Sequence, residues 1–218
     1  MQLKPQVRFP LAFRRGSRAV AWITLTGLAL LFVQDAQAVY TLVSLGSRQT
    51  TLRVGSANGT INNVRFNVTG ANISPSPTAV TGVPGNGTPA TSPANGTEIQ
   101  VITRMPGTLF GSSTLTLTVD SSAGLSCVGG SGCGTTSIPF NTIGWTSYNL
   151  DSGGDDLVSG TFDGSASQQL ARRNQYTGII FTSGSLIMTN VLIFSYDNLT
   201  LYPSGIYRGR VVYTATNL

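Results

Sequence analysis

The chain has 218 residues, with 13 Lys or Arg against 8 Asp or Glu, a formal charge of +5 and no His. Without His, neither a Ser-His-Asp nor a Cys-His constellation can be built, and two Cys alone do not supply a zinc site. The basic balance speaks for nucleic acid or an anionic surface only if the charges cluster in the working protein, and they do not.

Five of the basic residues, Lys4, Arg8, Arg14, Arg15 and Arg18, precede a mostly apolar stretch at 19–33 and the small-residue triplet Ala36-Gln37-Ala38. These three parts read as a secretory signal over residues 1–38, cleaved after Ala38. As a helix the apolar stretch rises only about 22 Å, short of a hydrocarbon core of about 30 Å, so a membrane is expected only during export. Arg14-Arg15 lacks the rest of a twin-arginine pattern. Residues 39–218 then carry about +1, contain no Lys, and have Glu98 as their one Glu. No basic cluster there exceeds Arg172-Arg173, which excludes nucleic acid as an expected partner.

The remainder is rich in Thr, Ser, Gly, Val and Asn, a composition that favours short strands joined by turns. In chain order, Val64, Phe66 and Val68 alternate with Arg65 and Asn67; Ile99 and Val101 flank Gln100; Leu115, Leu117 and Val119 alternate with Thr116 and Thr118. Between these runs, 71–97 is a Pro/Gly/Thr-rich loop holding five of the ten prolines, with 78–83 as a candidate edge strand. Residues 39–70 are too few to close a core by themselves, so 39–218 is read as one domain. Further strands are expected at 138–140, 143–145, 158–162 and 186–196, the last apolar on both faces and hence central, with a short one at 199–201. Residues 166–174 read as two helical turns or an irregular connection. The sum is an all-β antiparallel sandwich with little helix.

Candidate chemistry is sparse. Cys127 and Cys133, separated by a Gly-rich pentapeptide in an exported chain, are expected to form a disulfide that pins a hairpin tip. Asp151, Asp155 and Asp156 form the one local carboxylate cluster, but their spacing matches no standard calcium loop. Glu98 with an Asp, as a glycosidic pair, rests on nothing beyond the presence of acids. Trp145 can stack on a sugar, although an aromatic in "IPFNTIGWTSY" more often belongs to a core. Asn58, Asn67, Asn86, Asn95 and Asn198 head glycosylation tripeptides that matter only in a host that uses them. No cofactor, metal site or catalytic group is expected.

The chain ends on "YPSGIYRGRVVYTATNL". Tyr207, Val211, Tyr213 and Ala215 share one period-two set while Arg208, Arg210 and Thr214 fall on the other, so a strand over 206–215 is expected, with Tyr207, Val211 and Tyr213 as inward anchors. With the leader, the β-rich body and Gly205 ahead of this strand, the chain resembles the subunits of chaperone–usher fimbriae. The resemblance implies an incomplete Ig-like sandwich whose last strand borders a groove. A periplasmic chaperone's strand, and then a neighbouring subunit's N-terminal extension, fills that groove in the family. Residues 39–50 would be the donor here, with Val39, Thr41, Val43 and Leu45 on one face. Two positions depart from the family's pattern: Asn217 stands where an aromatic is usual, and the Cys pair lies mid-chain.

The functional expectation is therefore a structural subunit of a surface fimbria that assembles by strand donation and contributes to adhesion. Its partners would be neighbouring copies or other subunits, with chaperone and usher in transit through the periplasm. The alternative is a self-contained secreted or cell-surface binding module, an adhesin or glycan binder, and neither reading is an enzyme.

Overall fold

The structure is a computed structural model that describes residues 43–45 (backbone only), 48–56, 59–105, 112–150, 156–176 and 184–218. The leader and its cleavage point lie outside the described residues, as do Val39 and Thr41. Among the described residues no helix is long and apolar enough to cross a membrane, and those residues belong to one compact unit.

Strands come first as β1 (Val43–Leu45), β2 (Arg48–Ser56), β3 (Gly59–Thr60) and β4 (Val64–Arg65). The Pro-rich excursion is only partly irregular, because it contains β5 (Val80–Thr81), β6 (Val83–Pro84) and β7 (Ala90–Thr91) and runs into β8 (Ala94–Met105). After these come β9 (Ser112–Asp120), β10 (Leu125–Cys127), β11 (Ser137–Ile138), β12 (Ile143–Tyr148) and β13 (Gly160–Thr161). The remaining strands are β14 (Gln168–Tyr176), β15 (Gly184–Tyr196), β16 (Tyr207–Gly209) and β17 (Val212–Asn217). Two single 3-10 turns, at Gly70–Asn72 and Phe140–Thr142, are the described helical elements.

Every pairing is antiparallel, as expected of an all-β chain built from short connections. The main sheet has the order β1-β2-β8-β15-β12-β13, and a second sheet has the order β14-β9-β17. A small sheet, β11-β10-β16, and the pair β4-β6 lie beside them.

Period two decides which face each strand buries. On β9, Ser113, Leu115, Leu117 and Val119 point inward, and Thr114, Thr116 and Thr118 point out. Opposite them, Leu52, Ile99, Val101, Met188 and Leu192 of the main sheet belong to the same core cluster, which makes the two sheets a face-to-face sandwich. β15 is paired on both sides, by β8 and β12, and buries Val191 as well as Leu192, as its doubly apolar sequence predicts.

Four local expectations are corrected. Residues 166–174, with their Gln, Ala and Arg, carry helix propensity, yet Gln168–Tyr176 is a strand on β9, because burying Ala171 against the core outweighs a weak local preference. At 199–201 no strand forms, and Leu199 and Leu201 stay 74% and 68% exposed. The runs at 138–140 and 158–162 shorten to β11 and β13, and Phe140 and Phe162 serve instead as core aromatics with ring centroids 5.8 Å apart.

The fourth correction concerns the last strand, which is two strands in two sheets. β16 pairs with β10, β17 pairs with β9, and Val211 lies in the connection. Gly209 sits at the crossing, where any Cβ would strike the Gly124 carbonyl and the Phe140 ring.

Truncating the wholly buried Leu117 to Ala should cost about 2–5 kcal/mol, whereas Thr116→Ala on the outer face should stay within about 0.5 kcal/mol. Urea unfolding of the two variants checks which face of β9 is the core face.

Candidate functional site

β17 is an edge strand, and the geometry of its ladder says which of its groups are spoken for. The Thr114 amide donates to the Leu218 carbonyl at 2.7 Å, and the Leu218 amide donates to the Thr114 carbonyl at 3.1 Å, so these two form a hydrogen-bonded pair. In an antiparallel ladder such pairs alternate with non-bonded ones. The register Asn217↔Leu115, Ala215↔Leu117 and Tyr213↔Val119 therefore turns the amide and carbonyl of Tyr213, Ala215 and Asn217 away from β9. Among the described residues no strand pairs with β17 on that side.

The second sheet has another edge, at β14, but the two differ in chemistry. β14 carries Arg172 and Arg173 and an irregularity between Gln169 and Ala171. Charges and bulges are the usual means of keeping an edge from pairing. β17 reads Val-Tyr-Thr-Ala-Thr-Asn, with no charge and with unbroken register against β9. Its second backbone row has no strand partner among the described residues, although Ala215 and Asn217 on it are buried.

The inward set of β17 differs in part from the sequence expectation. Tyr213 is partly buried and packs on the core, Ala215 is wholly buried, and Asn217 is 5% exposed. Desolvation pushes the Tyr213 hydroxyl well above the ordinary tyrosine range. Tyr207 and Val211 also pack against the core, but from β16 and the connection, so the three expected anchors are not on one strand. The Tyr207 hydroxyl donates to the Pro203 carbonyl at 2.8 Å. Asn217 was legible only as a departure from an aromatic; carrying the period-two set from Tyr213 through Ala215 one step further assigns it to the inward face.

At the other side of the seam, β17 packs against β2 across the sandwich. There β1 pairs with β2, Val43 opposite Thr50 and Leu45 opposite Arg48. Thus Val43 and Leu45 of the expected donor segment are in a strand, Arg48, Gln49 and Thr50 belong to the main sheet, and Val39 and Thr41 lie outside the described residues.

Cys127 and Cys133 are joined, with Cα atoms 5.7 Å apart. The bridge does more than pin a hairpin tip, because its loop grips the segment entering β16. The Val128 amide donates to the Ile206 carbonyl at 2.8 Å, and the Ile206 amide donates to Ser131 Oγ at 3.0 Å. Gly205 lies flat on Cys133, where an added Cβ would sit 2.5 Å from its sulfur and 2.7 Å from its Cβ. That contact is the local physical reason for a glycine there.

The other candidates turn out structural. Trp145 is in the core, donating from Nε1 to the Val158 carbonyl at 2.8 Å. Asp156 is buried and pairs with Arg173 at 3.0 Å, tying the 156–157 segment to β14; Asp151 and Asp155 lie outside the described residues. Among the described residues no three His, Cys, Asp or Glu converge. Glu98 pairs with Arg53. Asn198 is buried and donates to the carbonyls of Asn72 and Thr78, holding the long loop; Asn67, Asn86 and Asn95 are exposed, and Asn58 lies outside the described residues.

No protein-family model matches the chain, and no curated protein or solved structure is significantly similar to it.

The raised Tyr213 pKa has a testable sign. Folding favours the protonated phenol, so its contribution is complete below the free phenol's pKa of about 10 and is lost as the pH rises beyond it. Tyr213→Phe should therefore lose less stability than the native chain between neutral pH and pH 11 in urea unfolding. Equal losses would mean that the phenol is not buried.

Proposed function

We propose that this protein is a structural subunit of an extracellular fibre, assembling by addition of a strand to the free edge of β17. The observation that carries the reading is the contrast between the two edges of the second sheet: β14 is charged and irregular, while β17 is uncharged, in register and, among the described residues, paired with β9 alone. Backbone hydrogen bonds to Tyr213, Ala215 and Asn217 would supply affinity, and alternate inward side chains would supply register. This is what the resemblance to chaperone–usher fimbrial subunits implies, and the secretory leader expected from the sequence of residues 1–38 belongs to the same reading. The incoming strand would come from neighbouring copies or sister subunits, with a chaperone and an usher in transit and the cell surface as destination. An Ig-like relation of the strands belongs to the same proposal.

A second reading, a self-contained binding module, is favoured by one feature. An open cleft of about 300 Å³ beside β16 is lined by Asp120, Ser122, Arg208, Arg210 and their neighbours. Asp120 is held below the usual carboxylate range by the amide and hydroxyl of Ser122.

Ala215→Pro separates the readings. It removes an amide hydrogen that points away from β9 while leaving every bond to β9 in place; because Ala215 is wholly buried, urea unfolding accompanies the test and only a variant that folds like the native chain is scored. Light scattering and electron microscopy of the exported protein should show concentration-dependent fibres for the native chain and monomers for the variant. A native chain that stays monomeric at all concentrations, alone and with its sister subunits, would contradict the proposal.

A further inference from the structure

The cleft beside β16 forms where two ladders part. β9 and β17 pair as far as Asp120 opposite Val212, and β10 and β16 pair from Leu125 opposite Gly209. Between the ladders, residues 121–124 of one segment face only 210–211 of the other, so the two cannot pair one to one, and the cleft of about 300 Å³ opens there. Gly124 and Gly209 both line it, and the lack of side chains at these two positions keeps it open.

Its charges are unequal and unspent. Arg208 and Arg210 are exposed, share one period-two face, and have no ion pair or hydrogen bond among the described residues. The one carboxylate in the cleft, Asp120, pairs with neither guanidinium. Its Oδ1 accepts from the Ser122 amide at 3.0 Å and the Ser122 hydroxyl at 2.7 Å, and its Oδ2 is without a partner. Two positive groups against one negative complement a ligand with a single negative charge, because a polyanion would set a further charge against Asp120. An ionised carboxylate only accepts, so the same ligand must also bring a donor to it. Ser126, directly opposite Arg208 on β10, presents an exposed hydroxyl on the same face as that arginine.

We infer that this cleft binds one acidic sugar, its carboxylate held by Arg208 and Arg210 and a ring hydroxyl donating to Asp120. The volume is at the low end for small-molecule sites and suits a single ring. No aromatic residue lines the cleft, so recognition is polar and each site is weak, a weakness that repetition along a fibre offsets. The inference rests on the binding reading above and is independent of strand addition to β17. A carboxylate flanked by hydroxyls is common to the uronic acids of polysaccharides and to the sialic acids that end surface glycans.

The test titrates the isotope-labelled exported protein, followed by NMR, with a methyl glucuronide, a methyl sialoside, a methyl glucoside and acetate. An acidic sugar should bind with a dissociation constant of about 1 mM while the neutral glucoside does not, and the tighter of the two acids names the source. Arg208→Gln and Arg210→Gln should each weaken that binding about tenfold, and Arg172→Gln on β14 should leave it unchanged. Asp120→Asn should weaken the acidic sugar several-fold yet strengthen acetate, for which Asp120 is only a repelling charge. Strengthening of both would overturn the inference, leaving a site for simple anions. An acidic sugar that binds regardless of both arginine substitutions also overturns it, by placing the site elsewhere, and leaves the binding reading standing. Should neither acidic sugar bind, the inference fails, and the cleft no longer favours a binding module.

Discussion

Everything at the seam of this molecule depends on β9. As the central strand of a three-stranded sheet it uses both of its edges, one on β14 and one on β17, and its odd-numbered residues from Ser113 to Val119 form the floor of the core. Each strand that β9 recruits brings a second edge that the sheet does not use. An open edge invites pairing, and two open edges with equal chemistry would invite it indiscriminately. The arginines and the irregularity of β14 remove that symmetry. What is left to this sheet, among the described residues, is one uncharged edge, with small and aromatic residues behind it and a buried amide at one end.

The disulfide loop and the glycines act on the same strand from its other end. Ser131 and Val128 hold the backbone of Ile206, Gly205 lies flat on Cys133, and Gly209 lets the chain cross from the small sheet to the second sheet. Fixing β16 in this way delivers Val212 to Asp120 in register, so the edge is presented in one position rather than an ensemble of them. A short covalent loop stabilises a fold modestly. Its larger effect here is geometric.

Much of this was legible in the residues. The alternation of β9 and β8 marked their inward faces directly, the doubly apolar run at 186–196 marked a central strand, and the Cys spacing marked the bridge. Other features were not legible, for identifiable reasons. Gln, Ala and Arg in β14 favour a helix locally, and only the neighbouring β9 makes them a strand. Period two continues from Tyr207 to Ala215 through the crossing at Gly209, so the pattern could not report that two sheets share the segment. The buried state of Asn217 depends on its pairing opposite Leu115, about a hundred residues distant in sequence. The long Pro-rich segment showed only the candidate edge strand at 78–83, because its strands are two residues each and are held by β4, β8 and β15 rather than by their own pattern.

Amide hydrogen exchange along β17, before and after assembly, addresses the central claim most directly. In the dissociated protein the amides of Thr214 and Thr216, bonded to β9, should be protected while those of Tyr213, Ala215 and Asn217 exchange quickly; in the fibre all five should be slow. Protection of all five in the dissociated protein, or an unchanged alternation in the fibre, would contradict the account.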